Sequence, residues 1–277
     1  MLLRVGTRGS RLALTQAGLA AERVRRPGIE IAIVPITTAG DRDRTKPFGE
    51  IGERGVFVKE LEEALLEGRI DVAVHSAKDM TSTMGGGLAV GAYLRREDPR
   101  DALCGAEALR PGMRIGTASA RRRAQLLFLE PALVIEPLRG NIDTRLRKRG
   151  ERGLDAIVLA ACGLERLGLA SEIGHRFEPE ELLPEAGQGA LAMQVRSGEE
   201  ALVAAADDPE TRRRVEGERA CVAAVGGGCL SPVAAHDDGL ALEGLVADED
   251  GAWLERRRSD DPVALGRELA EIAAVRG

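Results

Sequence analysis

The chain has 277 residues, 44% of them hydrophobic, and a net charge of -6. That length and apolar content suit two or three cored domains and exclude a disordered chain. The negative charge argues against general nucleic-acid binding, and no uninterrupted apolar run reaches membrane-spanning length. The sequence opens on the alternating run Leu2-Leu3-Arg4-Val5, without the charged stub and apolar stretch of a signal peptide, which predicts a cytoplasmic protein.

Residues 2–5 read as a strand, and 11–24 carry apolar residues at helical spacing (Leu12, Leu14, Ala17, Leu19, Ala20). A strand is predicted over 29–36, a helix over 57–67 stopped by Gly68, and a short buried strand over 70–74. Strand alternating with helix predicts an α/β domain with a largely parallel sheet. A second unit repeats the plan, with strands ending at 114–116, 133–137 and 156–160 and helices over 120–129 and 142–149. A strand over 191–195 is placed to return to the first sheet, and a helix is predicted from Glu199. Residues 209–223 read as a helix. The remainder alternates and ends in an amphipathic helix from Pro262, so that a small α+β domain closes the chain. The domains are therefore set at 1–94 with 189–206, at 95–188, and at 207–277.

Both α/β units carry Gly-Thr and a serine between a strand and the next helix: Gly6-Thr7-Arg8-Gly9-Ser10 and Gly116-Thr117-Ala118-Ser119. Such a serine caps the helix or helps bind an anion at its N-terminus, and both readings stay open. In open α/β sheets ligands bind beyond the carboxyl ends of strands. Two units of like plan therefore suggest a cleft lined by the loops at 7–11, 38–43, 75–79, 117–123, 139–145 and 160–166. Every one of these loops carries arginine except 75–79, which has Lys78. Across the chain only Lys46, Lys59, Lys78 and Lys148 are lysines among 39 Lys and Arg residues. Genome composition explains such a bias, and so does a ligand rich in carboxylates, which arginine grips bidentately.

His75-Ser76-Ala77-Lys78-Asp79 packs four polar side chains into one turn, and Asp79 is its only carboxylate. A lone Asp often serves only to form a turn. In a basic pocket, however, it stays ionised and can pass protons or stabilise a cation. Cys229 ends the run Gly226-Gly227-Gly228-Cys229, a pliable setting that lets a thiol approach another surface. It is either a covalent anchor or a small buried hydrophobe. The other cysteines, Cys104, Cys162 and Cys221, show no CxxC pairing, and the scattered His75, His175 and His236 make a metal site improbable.

Taken together, these segments resemble the porphobilinogen deaminase family along nearly the whole chain. The match runs through Gly6-Thr7-Arg8-Gly9-Ser10, Gly55-Val56-Phe57-Val58-Lys59-Glu60-Leu61-Glu62 and Asp71-Val72-Ala73-Val74-His75-Ser76-Ala77-Lys78-Asp79. It continues through Arg96-Glu97-Asp98-Pro99-Arg100-Asp101-Ala102, Gly116-Thr117-Ala118-Ser119-Ala120-Arg121-Arg122 and Leu138-Arg139-Gly140-Asn141-Ile142-Asp143-Thr144-Arg145. Leu183-Pro184-Glu185-Ala186-Gly187-Gln188-Gly189-Ala190, then Glu218-Arg219-Ala220 and Gly227-Gly228-Cys229, complete it.

The resemblance implies two α/β domains like type II periplasmic binding proteins, a small α+β third domain, and a monomer. It implies an enzyme that links four porphobilinogen molecules head to tail into hydroxymethylbilane, releasing ammonia at each step. The growing chain is carried on a dipyrromethane cofactor held by a thioether, and Cys229 matches the attachment position. Asp79 matches the catalytic carboxylate, which assists loss of the amine and stabilises cationic azafulvene and pyrroleninium intermediates. Ser10, Lys78, Asp79, Thr117, Ser119, Arg121, Arg122, Arg139 and Gly140 are implied to hold the cofactor. Arg8, Ser10, Arg139, Arg145 and Arg166 are implied to hold substrate. No metal, nucleic-acid or membrane partner is implied. The chain departs from the family pattern at Glu50 and Arg54, where lysines are common, and at Met80-Thr81, where Val-Pro is usual. The rival reading is a carboxylate-binding protein without catalysis, which would share the fold and the arginines but would not need the thiol.

Overall fold

The structure, a computed structural model, describes residues 1–37, 58–81, 85–226 and 232–276. It divides into two compact units, Met1–Glu97 with Ala190–Arg213 and Asp98–Gly189 with Arg214–Gly277. The first unit begins with β1 (Leu2–Arg8), α1 (Arg11–Val24), β2 (Glu30–Ile36), α2 (Lys59–Leu66), β3 (Val72–Ser76) and β4 (Leu88–Tyr93). The second supplies β5 (Asp101–Cys104), β6 (Arg114–Gly116), α3 (Ala120–Leu129), β7 (Val134–Glu136), α4 (Ile142–Glu151), β8 (Ala156–Ala160), α5 (Ala161–Arg166) and β9 (Ile173–Arg176). The chain then returns to the first unit as β10 (Leu191–Arg196).

The two sheets share one plan. The first has the order β2-β1-β3-β10-β4, with β1 parallel to β2 and β3, and β10 antiparallel to both of its neighbours. The second has the order β7-β6-β8-β5-β9, again with four strands running one way and one reversed strand, β5. The sheets are thus largely parallel, as expected, and the strand at 191–196 does return to the first sheet. Alternation builds the first unit's core. Leu3, Val5, Val72, Val74 and Met193 face α1 (Ala17, Ala20, Val24), while Ala73 and Ile70 face Leu61 and Leu65 of α2. Both faces are therefore covered, which accounts for the continuous apolar stretch in β3.

The helix expected from Glu199 is absent. In its place are two short 3-10 turns, Glu200–Leu202 and Ala204–Ala206. Gly198 at φ 91 opens this stretch and Pro209, which disfavours helical backbone at the residue before it, closes it. The chain ends in α6 (Pro209–Val225), β11 (Val233–Asp237), β12 (Leu242–Ala247), β13 (Leu254–Ser259) and α7 (Pro262–Arg276). The three strands form an antiparallel sheet whose Leu242 and Val246 pack with Cys221 of α6 and with Leu265 and Leu269 of α7. Two α/β layers of like plan plus a small α+β element make up the fold class expected from the sequence.

Candidate active site

In the first unit β1 and β3 are neighbouring parallel strands, so the chain leaves both at the same sheet edge. β1 ends at half-buried Arg8, and Ser10 follows as the N-cap of α1, its Oγ accepting from Ala13 N at 3.3 Å. Thr7 beneath them is 1% exposed and donates to Ala13 O at 3.1 Å, fixing the strand-to-helix turn. After β3 the chain forms a single 3-10 turn, Ala77–Asp79. Ala77 and Met80 are buried, and Ala77 N donates to Ala190 O at 3.0 Å beside β10. These inward anchors leave Lys78 half-buried and Asp79 exposed. The structure thus brings Arg8, Ser10, Lys78 and Asp79 to one edge of one sheet. His75, just before the turn, is buried with its Nε2 3.0 Å from Gln194 Oε1, and Gln194 Nε2 donates to Glu62 Oε1 at 2.8 Å. Because a carboxylate only accepts, Glu62 fixes the Gln194 amide, which in turn places a proton on His75 Nε2.

In the second unit the equivalent edge lies beyond β6, β7 and β8. Thr117 is buried, its N donates to Glu136 O at 2.9 Å and its Oγ1 accepts from Ser119 N at 3.2 Å. Ser119 caps α3, accepting from Arg122 N at 3.3 Å. Both serines therefore use Oγ as a cap, and each hydroxyl proton remains available to a ligand. Arg121 and Arg122 occupy the first turn of α3 but are 3% and 5% exposed. Each is ion-paired to the fully buried Asp101, at 2.8 Å for Arg121 and 2.6 Å for Arg122. Burial pushes the Asp101 carboxyl up, but the charges and hydrogen bonds of the two arginines outweigh it and hold the carboxyl well below its ordinary range. Arg122 also donates to Val158 O at 3.0 Å and Arg121 to Leu183 O at 2.8 Å.

Arg139, after β7, is half-buried, and burial lowers its pKa. Its carbonyl accepts from Lys148 Nζ at 3.2 Å, and Gly140 O accepts from Arg145 Nε at 2.6 Å. Gly140 has φ 123, and a Cβ there would meet Thr144 Cγ2 at 2.7 Å. Glycine is required at this turn. Arg166, the last residue of α5, donates to Gly189 O at 2.7 Å. Thr117, Ser119, Arg121, Arg122, Arg139, Gly140, Arg145 and Arg166 all follow strands that leave one sheet edge.

This second-unit cluster fits a group rich in carboxylates. Two guanidiniums share one buried carboxylate, leaving an excess positive charge. Arg121 Nε and Nη2 are buried with no hydrogen-bond partner, and buried donors are costly until an acceptor meets them. Sequence reasoning did not single out Asp101 or Gln188. Both stood inside quoted motifs, but nothing local marks them as partners of arginines elsewhere in the chain.

Cys229 lies outside the described residues, as do Glu50, Arg54 and the loop at 38–43. The other three cysteines are buried. Burial pushes the Cys104 thiol up to about 11 and the Cys221 thiol up to about 12, which makes both poor nucleophiles. No group of His, Cys, Asp and Glu among the described residues is arranged to hold a metal ion, and no described helix is long and apolar enough to cross a membrane.

Residues 3–204 match the family model "Porphobilinogen deaminase, dipyromethane cofactor binding domain", and residues 212–274 match "Porphobilinogen deaminase, C-terminal domain". The porphobilinogen deaminase of Syntrophotalea carbinolica is 45% identical, with 99% of this chain and 93% of that protein covered. That of Roseiflexus castenholzii is 44% identical over 97% of this chain and 94% of its own length. That of Moorella thermoacetica is 42% identical over 99% and 94%. A solved structure of the methionine-binding protein MetQ is also similar, with 14% identity, a TM-score of 0.47, and 76% of this chain and 92% of that chain covered. With the two family domains matched over residues 3–204 and 212–274, the chain belongs to the porphobilinogen deaminase family.

Proposed function

We propose that this chain condenses four porphobilinogen molecules head to tail into hydroxymethylbilane, with Asp79 as the catalytic carboxylate and Cys229 as the thioether anchor of the cofactor. As a family member it is a transferase of tetrapyrrole biosynthesis with a dipyrromethane cofactor. The observation that carries the catalytic reading is the meeting of Asp79, Lys78, Arg8 and Ser10 at one sheet edge. Asp79, held outward by buried Ala77 and Met80, can keep the substrate amine protonated so that it departs as ammonia, stabilise the cation left behind, and accept the ring proton released after the new carbon–carbon bond forms. Arg8 and Ser10 hold substrate carboxylates beside it, with Arg139, Arg145 and Arg166 of the second unit.

The dipyrromethane, when bound, would supply the terminal pyrrole to which the first substrate is joined. Thr117, Ser119, Arg121, Arg122, Arg139 and Gly140, with Ser10, Lys78 and Asp79, would hold its carboxylates and ring nitrogens. A covalent anchor makes each addition effectively intramolecular. The burial of Cys104, Cys162 and Cys221 supports Cys229 as that anchor. Three sheets support the three-domain division at 1–94 with 189–206, at 95–188, and at 207–277. The reading takes the enzyme as a cytoplasmic monomer without metal, nucleic-acid or membrane partners.

The test is the purified chain with porphobilinogen. We expect substrate loss by the acidic aldehyde colour reaction, ammonia in equal amount, and an intact mass raised by two linked pyrrole units. A bare-chain mass with reversible binding and no ammonia would instead support a carboxylate-binding protein.

A further inference from the structure

We infer that Asp101 is a positioning residue for the cofactor-binding arginines, and that it divides their work: it occupies the donor fork of Arg122 and leaves that of Arg121 to a ligand carboxylate. The inference rests on the proposed role of Arg121 in holding the cofactor. Arg121 and Arg122 are adjacent and chemically identical, but their surroundings differ. Nε and Nη2 form the guanidinium edge that matches a carboxylate. In Arg122 both already reach Asp101 Oδ1, at 3.1 and 2.6 Å, and Nη1 is spent on Val158 O. Arg121 meets Asp101 Oδ2 and Leu183 O through Nη1 alone. Its Nε and Nη2 lie buried without an acceptor.

Asp101 is itself held on two sides. Gln188 Nε2 donates to its Oδ1 at 2.9 Å and to Pro99 O at 2.7 Å, while Asp101 O accepts from Phe177 N at 2.9 Å. The carboxylate therefore cannot turn to satisfy the remaining Arg121 donors. It also screens two guanidiniums from each other. Without its charge they repel, and the open fork of Arg121 loses its fixed direction.

The experiment compares Asp101→Asn, Gln188→Met, Arg121→Lys and Arg122→Lys, each produced as the full chain with its cofactor. The readouts are the fraction of folded chains carrying the added pyrrole mass and the thermal midpoint. Asp101→Asn should cut the loaded fraction on the order of tenfold, the scale of one charge-assisted hydrogen bond. Gln188→Met should do the same more weakly, and it serves where Asp101→Asn does not fold. Arg122→Lys should lower both loading and midpoint. Arg121→Lys, whose ammonium can keep the Asp101 contact but not the donor fork, should lower loading with a smaller fall in midpoint than Arg122→Lys. A folded Asp101→Asn or Gln188→Met protein with full loading and only a lower midpoint overturns the inference, because a merely structural role moves stability alone. Full loading in Arg121→Lys would instead remove the reading of Arg121 on which the inference stands.

Discussion

Glu218→Gln is a one-atom change whose cost can be worked from the structure. Glu218 lies within α6 and is 0% exposed. Its Oε2 accepts from Gly187 N at 2.7 Å and its Oε1 from Asp237 N at 2.9 Å, so one carboxylate ties the turn before Gln188 to the end of β11. A carboxylate accepts at both oxygens, whereas an amide accepts at only one. Whichever way the Gln amide turns, its NH2 faces one of the two backbone N–H groups. The variant therefore loses one charge-assisted bond, about 1.5–3 kcal/mol, and weakens the other. The expected loss is about 2–4 kcal/mol, or roughly 5–15 °C in midpoint for a protein of this size. Urea unfolding at neutral pH, followed by far-UV circular dichroism, measures it. Glu271→Gln, at an exposed position on α7, is the control and should fall within about 0.5 kcal/mol of the parent. If Glu218→Gln matched that control, the carboxylate would not be the tie described.

Three further outcomes follow from the site. Asp79→Asn should keep its adduct and its melting midpoint but lose about 10²–10⁴-fold in turnover; near-normal consumption of porphobilinogen would remove Asp79 from the mechanism. Cys229→Ser should fold without any added pyrrole mass, because a hydroxyl is a far poorer nucleophile than a thiolate, while Cys104→Ala, Cys162→Ala and Cys221→Ala should keep the adduct; an adduct surviving in Cys229→Ser would falsify the anchor. Acid should unfold the protein through Asp101, Asp98 and Asp71. Burial raises each carboxyl, but Arg121 and Arg122, Arg100, and Arg4 respectively outweigh it and lower the native pKa. Their stabilisation is complete above the unfolded value of about 4. It is lost as pH falls through the lower native values, so urea midpoints should hold flat from pH 7 to about 5 and drop below about 4.

What the sequence made legible was largely local. α1 and α3 fall at the spans expected because Ser10 and Ser119 cap them and apolar residues recur at helical spacing behind the caps. The repeated Gly-Thr-to-serine signature picked out equivalent turns of two sheets with the same plan. Non-local features were not legible. β5 is four residues long and buried on both faces, so it shows no alternation. β9 is equally short, and β4 follows three glycines that read as loop. The same distance hid the character of the arginine pair. From the sequence Arg121 and Arg122 point equally at a ligand; the carboxylate between them arrives on a strand placed only by its pairing with β8 and β9. Asp79 was legible as a chemical candidate, but its outward direction depends on Ala77 meeting Ala190, far along the chain.

The reversed strand of each sheet has a consequence for how the protein emerges from the ribosome. The second sheet draws β5 through β9 from one continuous stretch, complete once residue 176 has been made. The first sheet cannot close then, because β10, between β3 and β4, ends only at Arg196. Until that point β3 has an open edge and β4 has no neighbour, although both were synthesised first. The nascent N-terminal segment thus waits with unpaired backbone while a later part of the chain finishes its own sheet, contrary to the usual N-to-C order of domain folding. A pause or truncation between residues 176 and 196 would leave a finished sheet tethered to an aggregation-prone one.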